Sequence, residues 1–240
     1  MDSRQFACPA AICAIEVIPM MINFKRPDGK ECSAFYVEPA AGSQAPGIVV
    51  IQEWWGLNDQ IKSVAAELAD QGYVALAADL YDGKVTTDPG QAQALMEAMD
   101  PAKATDILAS WIDWLKGHGG GNGKIATIGW CFGGGWSLNA SLAAPVDATV
   151  IYYGRVDQPA EKLGSLKGPV LGHFGEKDQW INHKMVSGFE TAMKSAGKPL
   201  TVYWYNANHA FANPTGANYD KPDAQLAWSR TLEFLKRQLG

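Results

Sequence analysis

The stretch "IGWCFGGG", Ile128 to Gly135, sets a cysteine among glycines in the spacing Gly129-x-Cys131-x-Gly133. It falls at the join between an apolar run, "KIATIGW", and a segment of helical character that begins near Gly134. A sharp strand-to-helix turn holds its middle residue in a strained conformation, and its neighbours must be glycine wherever side chains would collide. Such a turn lifts the sulfur above the sheet and aims the helix N-terminus at it, and that positive dipole end favours thiolate over thiol. The chemistry this implies is nucleophilic attack by Cys131, with sulfur standing where serine is more usual. The alternative is a buried thiol beside a glycine-rich dinucleotide loop. No Gly-x-Gly-x-x-Gly spacing occurs here, and cofactor folds carry that loop on their first strand.

A nucleophile needs a base, and the chain offers His118, His173, His183 and His209. In hydrolases built on this turn the order along the chain is nucleophile, acid, histidine, with the last two on loops after later strands. His209, in "NANHAFANP" beyond the strand-like "LTVYWYN", fits that order. The acid should follow the strand "PVLGHFG", where the loop "GEKDQWIN" supplies Glu176 and Asp178. Asp178 is preferred because its later position lets it reach the imidazole, while Glu176 sits closer to the strand end. The other half of the site comes from "VVIQEWWGLND". Oxyanion-hole amides are expected from Trp54, at the end of that strand, and from Phe132, after the nucleophile. Glu53 follows an apolar strand and precedes two tryptophans, and a carboxylate so placed is either paired or working.

The elements that must hold these residues alternate along the chain. The segment around "NFKRPDGKECSAFYVEP" reads as antiparallel strands with Asp28-Gly29 as the turn. Then come strand "GIVVIQ", a helix capped by Asn58 or Asp59 and stopped at Gly72, strand "YVALAADL", and a helix capped by Asp100 with Pro101 in its first turn. Beyond the elbow follow strands "ATVIYYG", "PVLGHFG" and "LTVYWYN", a helix after Asn182, and the closing helix "DAQLAWSRTLEFLKRQL". Short strands apolar on both faces and separated by helices predict a doubly wound α/β fold, a mostly parallel sheet with helices on both faces. Its sites gather at the carboxyl ends of the strands.

Composition bounds the rest. A chain of 240 residues, 47% hydrophobic, suits one domain; residues 1–20 read as an N-terminal extension and 21–240 as that domain. A net charge of -5 without a Lys/Arg run disfavours nucleic acid, and no apolar stretch approaches the roughly 20 residues of a membrane span. Cys8, Cys13, Cys32 and Cys131 are too few for a disulfide framework and lack zinc-site spacing, so a reducing cytoplasm is expected, with no metal and no cofactor. The expected partner is a small molecule, and the expected state is monomer or weak homodimer.

Taken together, "QEWWGLND", "DQGYVALAADLYDGK", "GWCFGGGW", "GEKD" and "NHAF", in that order and spacing, closely resemble the dienelactone hydrolase (carboxymethylenebutenolidase) family from about Met21 to the C-terminus. The resemblance implies an α/β-hydrolase fold and a Cys131–Asp178–His209 triad acting on a lactone through an acyl-enzyme. The family's glutamate maps onto Glu53, which there hydrogen-bonds the resting thiol and, on substrate binding, moves to take its proton. Two family arginines that clamp the substrate carboxylate map onto Gly83, beside Lys84, and onto Asn213. Lys84 supplies at most one charge and no bidentate clamp. With Trp55, Tyr81 and Phe211, these positions make up the expected substrate-binding set, in a pocket more apolar than the family's. Promiscuous phosphotriester hydrolysis by the same thiolate and a non-catalytic lactone-binding role are the alternatives to a lactone or activated-ester hydrolase. A redox role for Cys131 would need Cys8, Cys13 or Cys32 as its partner.

Overall fold

The computed structural model describes residues 18–26, 28–39, 45–118 and 122–240. Cys8, Cys13 and most of the expected N-terminal extension lie outside the described residues. Strand β1 (Ile18–Lys25) pairs with β2 (Glu31–Glu38) across the Asp28-Gly29 turn, with Gly29 at φ +82°. Strands β3 (Gly47–Ile51), β4 (Val74–Ala78), β5 (Ile125–Trp130), β6 (Ala148–Tyr152), β7 (Val170–Gly175) and β8 (Leu200–Tyr205) complete an eight-stranded sheet of order β1-β2-β4-β3-β5-β6-β7-β8. The β1–β2 and β2–β4 pairs are antiparallel and every other pair is parallel.

Strands β3 to β6 are buried on both faces, the edge strand β8 only in part, and their side chains sort by alternation. Ile48 and Val50 of β3 enter the core under α1 (Asp59–Asp70) and α7 (Lys221–Leu239), whereas Val49 and Ile51 enter the opposite core with Trp111 of α3 (Pro101–His118). A third cluster, with Leu138 of α4 (Phe132–Ala143) and Phe189 of α6 (His183–Ser195), covers β6 and β7. Helix α7 buries Ala227, Thr231, Phe234, Leu235 and Leu239 along one stripe. Each large apolar side chain in that stripe contributes about 1.5–3 kcal/mol toward holding the helix on the sheet.

The caps follow the sequence. Asn58 accepts from the Ile61 N–H, and Asp100 accepts from the Ala102 N–H at 2.9 Å. Helix α4 starts at Phe132, two residues before the expected Gly134. Two helices were not foreseen. Helix α2 (Pro89–Ala98), capped by Asp88, buries only Ala92 and therefore shows little apolar periodicity. Helix α5 (Ala160–Leu163) is a single turn. Among the described residues no helix is long and apolar enough to cross a membrane.

Candidate active site

Cys131 occupies the turn between β5 and α4 at φ 54°, ψ −118°, a strained conformation for a residue with a side chain. Its N–H donates to the Tyr152 carbonyl at 3.0 Å, which ties the turn to β6, and its side chain makes no capping bond to α4. Glycine is needed on either side for lack of room. A Cβ on Gly129 would stand 2.0 Å from the Gly133 carbonyl oxygen, and one on Gly133 would stand 2.3 Å from that of Ile51. The half-buried thiol opens into a cavity of about 950 Å3.

His209 lies in the turn after β8 and lines the same cavity. Its Nδ1 meets Asp178 Oδ2 at 2.6 Å. The other carboxylate oxygen of Asp178 accepts from the N–H groups of Trp180 and Ile181 at 2.8 and 3.0 Å, so the acid is held from both sides. Glu176 is exposed outside the cavity lining, its N–H bound to the Tyr205 carbonyl. Burial pushes the Asp178 carboxyl up, but the His209 hydrogen bond and the two amides outweigh it and hold the group below the ordinary carboxylate range. Burial by itself would depress the His209 imidazolium; hydrogen bonding with Asp178 and Cys131 reverses this and raises it to about 10. Both hydrogen bonds favour the imidazolium form of His209.

Trp54 and Phe132 both line the cavity beside Cys131. Phe132 is the first residue of α4, so its N–H has no intrahelical acceptor and is free to meet a developing oxyanion.

Glu53 is 2% exposed. The structure corrects its expected partner: Oε2 accepts from Asn213 Nδ2 at 2.5 Å, while Oε1 has no hydrogen-bond partner, the thiol included. Asn213 is itself oriented by Thr215, whose N–H and hydroxyl donate to Asn213 Oδ1. A carboxylate without a second donor is costly to bury. Burial accordingly pushes Glu53 up to about 7, against the lowering effects of Asn213 and of the His209 charge. The folded protein therefore holds a proton between about pH 4.5 and 7 that the unfolded chain has lost, so stability falls as pH rises through that window, by roughly 3 kcal/mol in full. Glu53→Gln is expected to raise the Tm at pH 8 by several degrees and leave it nearly unchanged at pH 4.5, as read by calorimetry; an equal shift at both values would rule out the titration as its cause.

Three of the expected substrate contacts lie outside the cavity lining. Lys84 is exposed and does not line the cavity; its backbone lies against Gly56, and the Thr86 N–H donates to the Trp55 carbonyl at 3.0 Å. Tyr81 is buried against Phe132 at 5.7 Å. Phe211 is fully buried and packs at 5.4 Å from Tyr153 and 4.8 Å from Tyr205. Neither ring reaches the cavity lining, whereas Trp55 and Asn213 do. The sequence reading missed Trp180, whose ring stands edge-on to His209 at 5.1 Å, and Tyr153, whose ring lies 5.1 Å from His209. It also missed Arg155 and Asp157 at the cavity rim. "YGRVD" follows directly on β6, and its place at the carboxyl end of a parallel strand was the available signal.

A mostly parallel sheet with a strained turn after β5, an acid loop after β7 and a histidine loop after β8 defines an α/β-hydrolase fold. The Dienelactone hydrolase family model matches residues 32–239. A putative carboxymethylenebutenolidase of Saccharolobus solfataricus is 32% identical over 88% of this chain and 95% of its own length. The carboxymethylenebutenolidase of Pseudomonas putida is 31% identical over 89% and 94%. Among solved structures, a putative dienelactone hydrolase from Klebsiella pneumoniae superposes with a TM-score of 0.84 at 25% identity, covering 92% of this chain and 99% of its own. A dienelactone hydrolase-like promiscuous phosphotriesterase from metagenomic libraries does so with the same TM-score and identity, over 93% and 99%. The chain belongs to the dienelactone hydrolase family and is a hydrolase of the carboxylic-ester class.

Proposed function

We propose that this protein hydrolyses lactones or small activated esters through a covalent thioester on Cys131. The observation that carries the reading is the meeting, in one cavity, of a strained cysteine at a helix N-terminus with a histidine bound at 2.6 Å to a doubly anchored aspartate. In this mechanism His209 holds the thiol proton and Cys131 Sγ attacks the substrate carbonyl carbon. The N–H groups of Trp54 and Phe132 receive the oxyanion. Collapse breaks the C–O bond, and His209 gives its proton to the leaving oxygen. Water then surrenders a proton to His209 and attacks the thioester, and the acid leaves as the thiolate re-forms. Glu53, buried beside His209 and titrating near neutrality, is a further proton acceptor at the cavity floor.

The test is to mix the protein with p-nitrophenyl acetate and a set of small lactones, quench in acid, and map the adduct by peptide mass. An acetyl group on the Cys131 peptide, with turnover, is the expected result. Turnover without that adduct would remove the cysteine mechanism, and neither adduct nor turnover would leave a lactone-binding protein. A second reading keeps the site and changes the electrophile, since a structural relative is described as a promiscuous phosphotriesterase. An aryl dialkyl phosphate giving neither burst nor turnover would eliminate it.

A further inference from the structure

The cavity is far larger than a small lactone requires, lying near the upper end of pockets that enclose drug-sized ligands. Its wall near the nucleophile is aromatic, built by Trp54, Trp55, Phe132, Trp136 and Trp180. Helix α2 adds Gln93 and Met96, so a helix that buries only Ala92 supplies part of the pocket's wall.

Charge in this wall is nearly self-cancelling. Arg155 is the one Lys or Arg among the described lining residues. Its Nε and Nη2 donate to the two carboxylate oxygens of Asp157 at 2.7 and 2.6 Å, which fills one bidentate edge of the guanidinium and sets a negative charge against its positive one. With Lys84 outside and Asn213 committed to Glu53, no unpaired cation faces the cavity among the described residues. A carboxylate entering it would meet Arg155 only with the Asp157 charge beside it, which offsets the attraction, and would also lose water to aromatic rings.

We infer that the site takes uncharged esters or lactones bearing a bulky aryl group and discriminates against carboxylate-bearing ones, with the Arg155–Asp157 pair as the device that keeps the rim neutral. This rests on the ester-hydrolase reading for turnover, but its binding half stands independently. Three esters with one leaving group separate the effects of size and charge: p-nitrophenyl acetate, p-nitrophenyl 3-phenylpropanoate, and p-nitrophenyl 3-(4-carboxyphenyl)propanoate.

The phenylpropanoate is expected to exceed both the acetate and the carboxy ester in kcat/KM by roughly tenfold or more. Asp157→Asn, by releasing the Arg155 fork, is expected to raise the carboxy-to-neutral ratio by up to about fivefold, as fits an exposed ion pair. Affinities of the same two arylpropanoates for Cys131→Ala, read by quenching of the cavity tryptophans, should keep the order without any chemistry. A carboxy ester bound as tightly as its neutral analogue, an acetate turned over as fast as the phenylpropanoate, or an unmoved ratio in Asp157→Asn would each overturn the inference. If Cys131→Ala discriminates while the unaltered protein turns over none of the three, it is the ester-hydrolase reading that fails.

Discussion

Cys131→Ala is expected to lower ester turnover by at least about 10⁴-fold, close to the background that binding and oxyanion amides alone sustain. The fold should persist, because the Cys131 side chain makes no capping bond and is only half-buried, and the turn is held by backbone bonds to Tyr152 and Gly134. Cys131→Ser separates position from chemistry. Its hydroxyl would sit where the sulfur does but ionises far less readily, so it leans wholly on His209 as base, and its activity should fall between the alanine variant and the unaltered protein. Steady-state kinetics with circular dichroism on all three proteins checks this. Full activity in the serine variant would contradict any special role for the thiol.

Asp178→Asn should cost between about 10² and 10⁴ in kcat/KM, and the reason lies in its two anchors. The N–H groups of Trp180 and Ile181 demand an oxygen at Oδ1, so an asparagine there must turn its amide nitrogen toward His209 Nδ1. His209 Nδ1 then has to accept from the amide N–H, which leaves the imidazole proton on Nε2, facing the sulfur in the wrong tautomer. The same change removes one of the two hydrogen bonds that raise His209 to about 10, so the imidazolium weakens as a partner for thiolate. Alkylation of Cys131 by iodoacetamide at neutral pH should therefore slow together with hydrolysis. Unchanged rates of both would return the acid's role to Glu176 or to no carboxylate at all.

The elements that place these groups were legible because the central parallel strands are buried on both faces and read as plain apolar runs. The elbow was legible for a different reason: Gly129 and Gly133 are demanded by contacts under 2.5 Å that no side chain survives. Helix α2 escaped notice because only Ala92 of it is buried, so amphipathic periodicity had nothing to report. Asp178 could be preferred over Glu176 from its place in the loop, but the amides that anchor it could not be seen. Lys84 shows the opposite limit. Its distance along the chain from "DLY" suggested the pocket, yet after the turn at Asp82 and Gly83, tightened by the Asp79 carboxylate on the Tyr81 and Gly83 amides, its side chain is exposed outside the cavity lining. The pairing of Glu53 with Asn213 spans 160 residues and has no local signature.

Gly133 also bears on how such a site changes over time. Its backbone lies against the carbonyls of Ile51 and Gln52 with no side chain between, so the start of α4 rests directly on the end of the strand that leads into Glu53 and Trp54. Main-chain contact of this kind does not depend on which residues pack the core or line the pocket. The reacting centre and the surface that chooses its substrate are therefore separable inheritances: tryptophans and rim charges can be exchanged one at a time, altering what is admitted, while the sulfur stays at its height above the sheet.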